Sequence, residues 1–122
     1  MATVTLTQAN FEQTIHDNPI VLVDWWATWC PPCRMFGPVF EASSAANPDI
    51  VHAKIDTDAE QGLAGAAGIT SIPTLMAFRD GILVFSQPGA LPAPALAQVI
   101  SSVKSLDMDD VRRQVATARG EA

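Results

Sequence analysis

Two cysteines separated by two residues are the side chains of this sequence best suited to chemistry. Cys30 and Cys33 are its only cysteines. Two thiols at this spacing can close a disulfide within a tight turn, and a thiolate can open another disulfide by exchange. The alternatives are a structural disulfide or half of a metal site. A structural zinc site needs four ligands, and the only histidines, His16 and His52, lack ligand spacing. We therefore expect redox use and no metal.

The cysteines lie where a predicted strand ends and a predicted helix begins. Residues 20–23 form a short β-branched apolar run, typical of a buried strand. Pro31 and Pro32 fit a first helical turn, where the missing N–H costs nothing. The N-terminus of a helix stabilises an anion, so a thiol there loses its proton more easily than a free one. We expect Cys30, at the exposed turn, to be the nucleophile and Cys33, one turn inside, to be the resolving thiol.

Asp24 is a single carboxylate at the end of the apolar run. It precedes tryptophans, which predicts that it is buried beneath the cysteines. A buried carboxylate has a raised pKa and can accept or donate a proton as Cys33 attacks a mixed disulfide. The alternative is a structural acid bonded to the backbone.

The remaining pattern predicts a mixed central sheet covered by helices on both faces. Predicted strands cover residues 3–6, 20–26, 50–56, 75–78 and 82–85. Predicted helices lie near residues 7–18 and cover residues 31–46, 58–67, 92–106 and 108–118, the last from apolar residues recurring every three or four positions. We divide the chain into a domain at 1–106 and a C-terminal extension at 107–122.

Composition limits the classes of partner. With 122 residues, 48% of them hydrophobic and 16% charged, the sequence predicts one compact domain. The formal net charge of −6 opposes nucleic acid and anionic membranes as partners. Residues 1–19 lack a basic segment followed by an apolar one, so we expect no secretory signal and a cytoplasmic location.

The block from Val23 to Cys33 resembles the active site of thioredoxins. The resemblance covers roughly residues 3–105. It includes Ile72-Pro73-Thr74, similar to the cis-proline loop of the family, and Phe78-Arg79-Asp80-Gly81, similar to its hairpin turn. Gly89 falls where the family has a glycine. The resemblance implies a thioredoxin-like α/β fold and reduction of protein disulfides through Cys30 and Cys33, with Asp24 as the base.

Further expectations rest on the resemblance alone. It implies a substrate-docking surface formed by Trp29, Pro31, Pro32, Ile72, Pro73 and Gly89. Trp26 packs under the site, and counting along the neighbouring strand puts His52 where many thioredoxins have a lysine near the aspartate. It also implies a monomer without a bound cofactor, which acts on protein substrates with disulfides and is recycled by an NADPH-dependent thioredoxin reductase.

One departure keeps other functions open. The family's usual dipeptide between the cysteines is Gly-Pro, and here it is Pro31-Pro32, so the redox potential does not carry over. A disulfide oxidase, an isomerase or a haem-maturation protein would use the same fold. A docking module, in which redox activity is incidental, is the other alternative.

Overall fold

A computed structural model describes residues 2–120. These residues form five strands and five helices, which alternate as far as the fourth strand and are followed by the fifth strand and the last two helices. The strands are β1 (Thr3–Thr5), β2 (Ile20–Trp26), β3 (Val51–Asp56), β4 (Thr74–Arg79) and β5 (Ile82–Pro88). The helices are α1 (Phe11–Asp17), α2 (Pro31–Ala46), α3 (Gln61–Ala66), α4 (Ala93–Lys104) and α5 (Met108–Ala118).

The strands form one mixed sheet in the order β1-β3-β2-β4-β5. β3 is parallel to both β1 and β2, whereas β4 is antiparallel to β2 and to β5. The predicted mixed sheet between helices is therefore confirmed. β2 is the central strand, and its carboxyl end leads directly into the turn that carries the cysteines.

Alternation along β2 divides the core into two layers. Val21, Val23 and Trp25 pack with α1 and α3 on one face of the sheet. Leu22 packs on the opposite face with α2 and α4. Asp24 is two residues further along the strand, so its side chain points to the α2 face. This places the carboxylate on the side of the sheet where the cysteines begin a helix.

The β4–β5 hairpin turns at Asp80 and Gly81, as predicted. Both residues have positive φ, 52° and 79°, which the Asp-Gly pair adopts readily in a two-residue turn. The Ile72–Pro73 peptide bond before β4 is cis.

The predicted start of α3 at residue 58 is wrong. The helix begins at Gln61 because Asp56 holds the preceding segment in a side-chain turn. Its Oδ1 accepts the backbone N–H groups of Asp58 and Ala59 at 2.9 and 3.3 Å. Such local side-chain bonds compete with helix formation.

The C-terminal helix α5 is confirmed, with the predicted bounds. Asp107 caps it by accepting the N–H groups of Asp109 and Asp110. Met108 is buried, and Arg112 pairs with Asp80 of the hairpin turn at 3.6 Å. The division at residue 106 stays a prediction, and residues 121–122 of the extension lie outside the described part of the chain.

Candidate active site

Cys30 and Cys33 form a disulfide at the N-terminus of α2, with their Cα atoms 5.2 Å apart. Cys30 has an extended backbone and is the N-cap, and the two prolines begin the helix. The backbone N–H of Cys33 points at the Cys30 Sγ, at 3.2 Å. The structure therefore places the sulfur of Cys30 at the positive end of the α2 dipole.

Both cysteines are buried in the disulfide form. Cys30 is only 2% exposed, so the expectation that it lies exposed at the turn is wrong for this state. The cause is packing, since the disulfide lies against Ala27, Trp26 and Ile72. The Cys30 Sγ is 3.7 Å from the Ile72 carbonyl oxygen, a contact in which a disulfide sulfur has no hydrogen to donate.

Asp24 is buried, as predicted. Its side chain is 0% exposed, and within residues 2–120 neither carboxylate oxygen accepts a hydrogen bond. Burial raises the pKa of Asp24 from 3.8 to about 6, and the opposing charge of Lys54 limits the rise. The alternative, a structural acid hydrogen-bonded to the backbone, is wrong, because no backbone N–H of the described residues donates to Asp24.

The prediction that placed His52 beside Asp24 is wrong by two residues along β3. In the register of β2 and β3, His52 lies beside Leu22 and Lys54 lies beside Asp24. His52 is buried with its ring between the Ser43 hydroxyl, 2.9 Å from Nε2, and the Ile50 carbonyl, 3.1 Å from Nδ1. Burial lowers the pKa of His52. Its contact with Ser43 makes it a core residue that joins β3 to α2.

Lys54 is the residue of the site that the sequence analysis missed. Its Nζ lies 3.8 Å from the Asp24 Oδ2 and 5.0 Å from the centre of the Trp26 ring. It lines a small pocket of about 190 Å³ together with Cys33. Lys54 thus contacts the buried carboxylate and lines the pocket that Cys33 also lines. His52 and Lys54 are two residues apart on the same face of β3, and only the register between the parallel strands decides which of them lies beside Asp24.

Trp29, directly before Cys30 in the sequence, is a large apolar side chain that faces solvent. It is 62% exposed, and its Nε1 donates to the Asp58 carboxylate at 2.8 Å. Asp58 therefore fixes the orientation of the indole, a contact that the sequence analysis did not anticipate. Pro31 and Pro32 are exposed on the other side of Cys30.

The loop before β4 carries two of the remaining predicted docking residues, and the third, Gly89, follows β5. Ile72 packs on the cysteines, and Pro73 is buried next to it. The backbone N–H of Gly89 donates to the Pro73 carbonyl at 2.8 Å, with Gly89 at a φ of 101° that favours glycine. Ile72 thus contacts the disulfide, and Gly89 is joined to the loop that carries Ile72.

The described residues show two further negative findings. Nowhere between residues 2 and 120 do three His, Cys, Asp or Glu side chains form a group that could hold a metal ion. No helix in the same range combines the length and apolarity that a membrane span requires.

The chain is similar in sequence to thioredoxins. The model of the family described as "Thioredoxin" matches residues 2–102. A relative from Streptomyces coelicolor, named as a second thioredoxin, is 54% identical over 99% of this chain and 90% of its own length. The thioredoxin of Alicyclobacillus acidocaldarius is 43% identical over 84% of this chain and 98% of its own.

Solved structures give the same result for the fold. A mutant thioredoxin from Halobacterium salinarum superposes with a TM-score of 0.78 and 38% identity, over 85% of this chain and 91% of that one. Oxidised mitochondrial thioredoxin 3 from Saccharomyces cerevisiae gives 0.75 and 31%, over 85% and 95%.

Proposed function

This chain belongs to the thioredoxin family and is a thiol–disulfide oxidoreductase, and we propose that it reduces protein disulfides in two exchange steps, with Cys30 attacking and Cys33 resolving. The observation that supports these roles is the contact between the backbone N–H of Cys33 and the Cys30 Sγ, with the two heavy atoms 3.2 Å apart. Of the two sulfurs, only that of Cys30, the N-cap residue, has this contact. In the reduced protein the same N–H group stabilises a thiolate at Cys30, the reactive form.

In the first step the Cys30 thiolate attacks one sulfur of the substrate disulfide. A bond forms between Cys30 and that sulfur, the substrate S–S bond breaks, and its electron pair leaves with the other substrate sulfur as a thiolate. Exchange needs no metal or organic cofactor. The product is a mixed disulfide between Cys30 and the substrate.

In the second step Cys33 releases the substrate. The Asp24 carboxylate accepts the proton of the Cys33 thiol, on the side where Lys54 and Cys33 share a pocket. The Cys33 thiolate then attacks the Cys30 sulfur, and the second substrate sulfur leaves as a thiolate. The substrate has gained two electrons, and Cys30–Cys33 is oxidised. A pKa of about 6 lets Asp24 accept a proton at neutral pH.

The surface around the disulfide provides the docking site for a substrate segment. Exposed Trp29 supplies apolar contact area, with Pro31 and Pro32 beside it. The Ile72 carbonyl borders the Cys30 sulfur on the other side, and Gly89 is hydrogen-bonded to the adjacent Pro73. An extended peptide can pair with the backbone next to Pro73 as an added strand does.

The thioredoxin family acts on protein disulfides and is generally recycled by a reductase. For this chain we propose an NADPH-dependent thioredoxin reductase, which returns two electrons to Cys30–Cys33. The chain acts as a monomer in the cytoplasm, where thiols are kept reduced and a cysteine pair serves catalysis more often than structure.

Trapping of the mixed disulfide tests the two cysteine roles. Cys33→Ser cannot resolve, so we expect it to accumulate a covalent adduct with a disulfide-bonded protein such as insulin. Cys30→Ser is the matched control and forms no adduct. Adducts formed equally by both variants would contradict the assignment, and adducts formed by Cys30→Ser alone would reverse it. An interaction with partners that survives Cys30→Ser without any exchange would favour the docking-module alternative.

A further inference from the structure

Arg34 is an exposed cation at the edge of the active site to which the mechanism gives no role. It directly follows Cys33 in the first turn of α2. Its side chain folds back toward the loop before the helix, where Nη2 donates to the Thr28 carbonyl at 2.9 Å. Arg34, Thr28 and Cys33 line the same pocket. The guanidinium is thus held beside the resolving cysteine.

The other basic residues do not compete for this position. All seven of the chain lie within residues 2–120. Arg79 and Lys104 are at the hairpin end of the sheet, and three arginines belong to the C-terminal extension. Lys54 faces inward, with its side chain 23% exposed, and pairs with Asp24. Arg34 is therefore the surface cation at the disulfide.

Arg34 also has free capacity for a ligand. No Asp or Glu of the described chain lies within salt-bridge distance of it, whereas Arg112 and Arg113 pair with acids of α5. The bond to Thr28 uses Nη2, so other N–H groups of the planar guanidinium stay available for a carboxylate. A side chain already held by the backbone loses less conformational freedom when a ligand binds.

We propose that Arg34 is a specificity-determining residue, which binds an Asp or Glu carboxylate of the substrate close to the disulfide under attack. The net charge of −6 repels acidic substrates at long range. Arg34 offsets that repulsion locally, where the peptide docks. The inference rests on the proposed reduction of protein disulfides and adds a preference among substrates.

Three peptides of one sequence test this preference. Each carries one disulfide, and the residues on both sides of one cysteine are Asp, Asn or Lys. The readout is the ratio of kcat/KM for the Asp peptide to that for the Lys peptide. An effect of Arg34 on the reactivity of the cysteines changes the rates of all three peptides alike, so the ratio isolates the docking contact.

We expect Arg34→Gln to lower this ratio about two- to five-fold at low ionic strength, the range that an exposed ion pair supplies. Arg34→Glu lowers it further, and added salt reduces the difference. Arg113→Gln is the matched control, because it removes the same charge from α5 and leaves the ratio as in the wild type.

Two results would overturn the inference alone. One is an unchanged ratio in Arg34→Gln, and the other is an equal fall in Arg113→Gln, which would assign the effect to net charge. Failure of the wild type to reduce the Asn peptide would overturn the proposed function together with the inference.

Discussion

The Lys54 Nζ lies 3.8 Å from the Asp24 Oδ2, although the two residues belong to different strands. The carboxylate is fully buried, and the ammonium is partly in contact with solvent. At this distance the pair attracts but does not form a hydrogen bond. Lys54 therefore compensates only part of the cost of burying the charge of Asp24, which is why the pKa stays raised, at about 6.

We expect Asp24→Asn to stabilise the folded protein at neutral pH. The pKa of Asp24 is about 6 in the folded protein, compared with an ordinary value of 3.8. The folded state therefore binds this proton more tightly than the unfolded state does. The stability from protonated Asp24 is fully present below pH 3.8 and is lost as the pH rises through about 6. The ionised group then destabilises the wild type by about 3 kcal/mol.

Denaturant unfolding at several pH values measures this effect. The free energy of unfolding of Asp24→Asn should exceed that of the wild type by up to about 3 kcal/mol above pH 7, and the difference should vanish near pH 4. Glu12→Gln, an exposed acid of α1, is the control and should change little. Equal stability of Asp24→Asn and the wild type above pH 7 would contradict a raised pKa of Asp24 in the folded protein.

Lys54→Gln should raise the pKa of Asp24 further. Removing the ammonium removes the charge that lowers this pKa, so the titration should move upward by roughly one pH unit. Carbon-13 NMR of the Asp24 carboxyl reports it directly, and the pH profile of the resolving step should move in the same direction.

Lys104→Gln is the matched control for Lys54→Gln. Its ammonium pairs with the exposed Asp49 at 3.0 Å, at the far end of α4, so the Asp24 titration should not move. An Asp24 titration that is the same in Lys54→Gln as in the wild type would refute the electrostatic role of Lys54.

Local sequence signals predicted the elements that carry the disulfide. α2 has the predicted bounds because Pro31 marks its first turn and Asn47-Pro48 follows its end. Asp24 could be placed in the core because it continues an apolar strand. α5 could be bounded because its apolar residues keep a helical period from Met108 onward.

Contacts between distant segments could not be predicted in the same way. The partner of Asp24 depends on the register of β2 and β3, which tertiary packing sets. A register shift of two residues replaces His52 by Lys54 as the residue beside Asp24. The burial of Cys30 depends on Ile72, 42 positions away in the sequence. The late start of α3 depends on which backbone groups the Asp56 side chain bonds.

The C-terminal extension should contribute to stability and not to exchange. Met108 is buried where α5 meets the domain, and the Arg79 Nη1 lies 3.0 Å from the Leu106 carbonyl just before it. Truncating a buried methionine to alanine costs about 2–5 kcal/mol. Because Met108 is at the beginning of α5 and not in the centre of the domain, we expect a cost at the lower end of this range. We expect Met108→Ala to lower the free energy of unfolding by about 2 kcal/mol.

The same variant should keep its kcat/KM for insulin, because α5 contacts the hairpin end of the sheet and not the disulfide. Gln114→Ala, an exposed position on the same helix, is the control for both readouts. An unchanged stability of Met108→Ala would mean that the extension only trails the domain, and a loss of exchange activity would give it a role at the active site.

The reduction potential of Cys30–Cys33 distinguishes a reductant from an oxidase or isomerase. Pro31 and Pro32 restrict the backbone between the cysteines, which limits the conformations of the reduced turn and favours closure of the disulfide. We therefore expect a potential at or below the cytosolic glutathione poise, about −220 to −260 mV by biochemical extraction.

Equilibration in defined thiol–disulfide buffers gives the potential, with emission from Trp26 and Trp29 as the signal because both residues flank the cysteines. Cys33→Ser corrects for effects of the buffer on the emission, since it cannot close the intramolecular bond. A value higher by on the order of 60 mV, about 3 kcal/mol for two electrons, would assign the chain to the oxidants or isomerases. Failure to form the disulfide at any poise would refute catalysis by exchange, because Cys33 could not then release a substrate from Cys30.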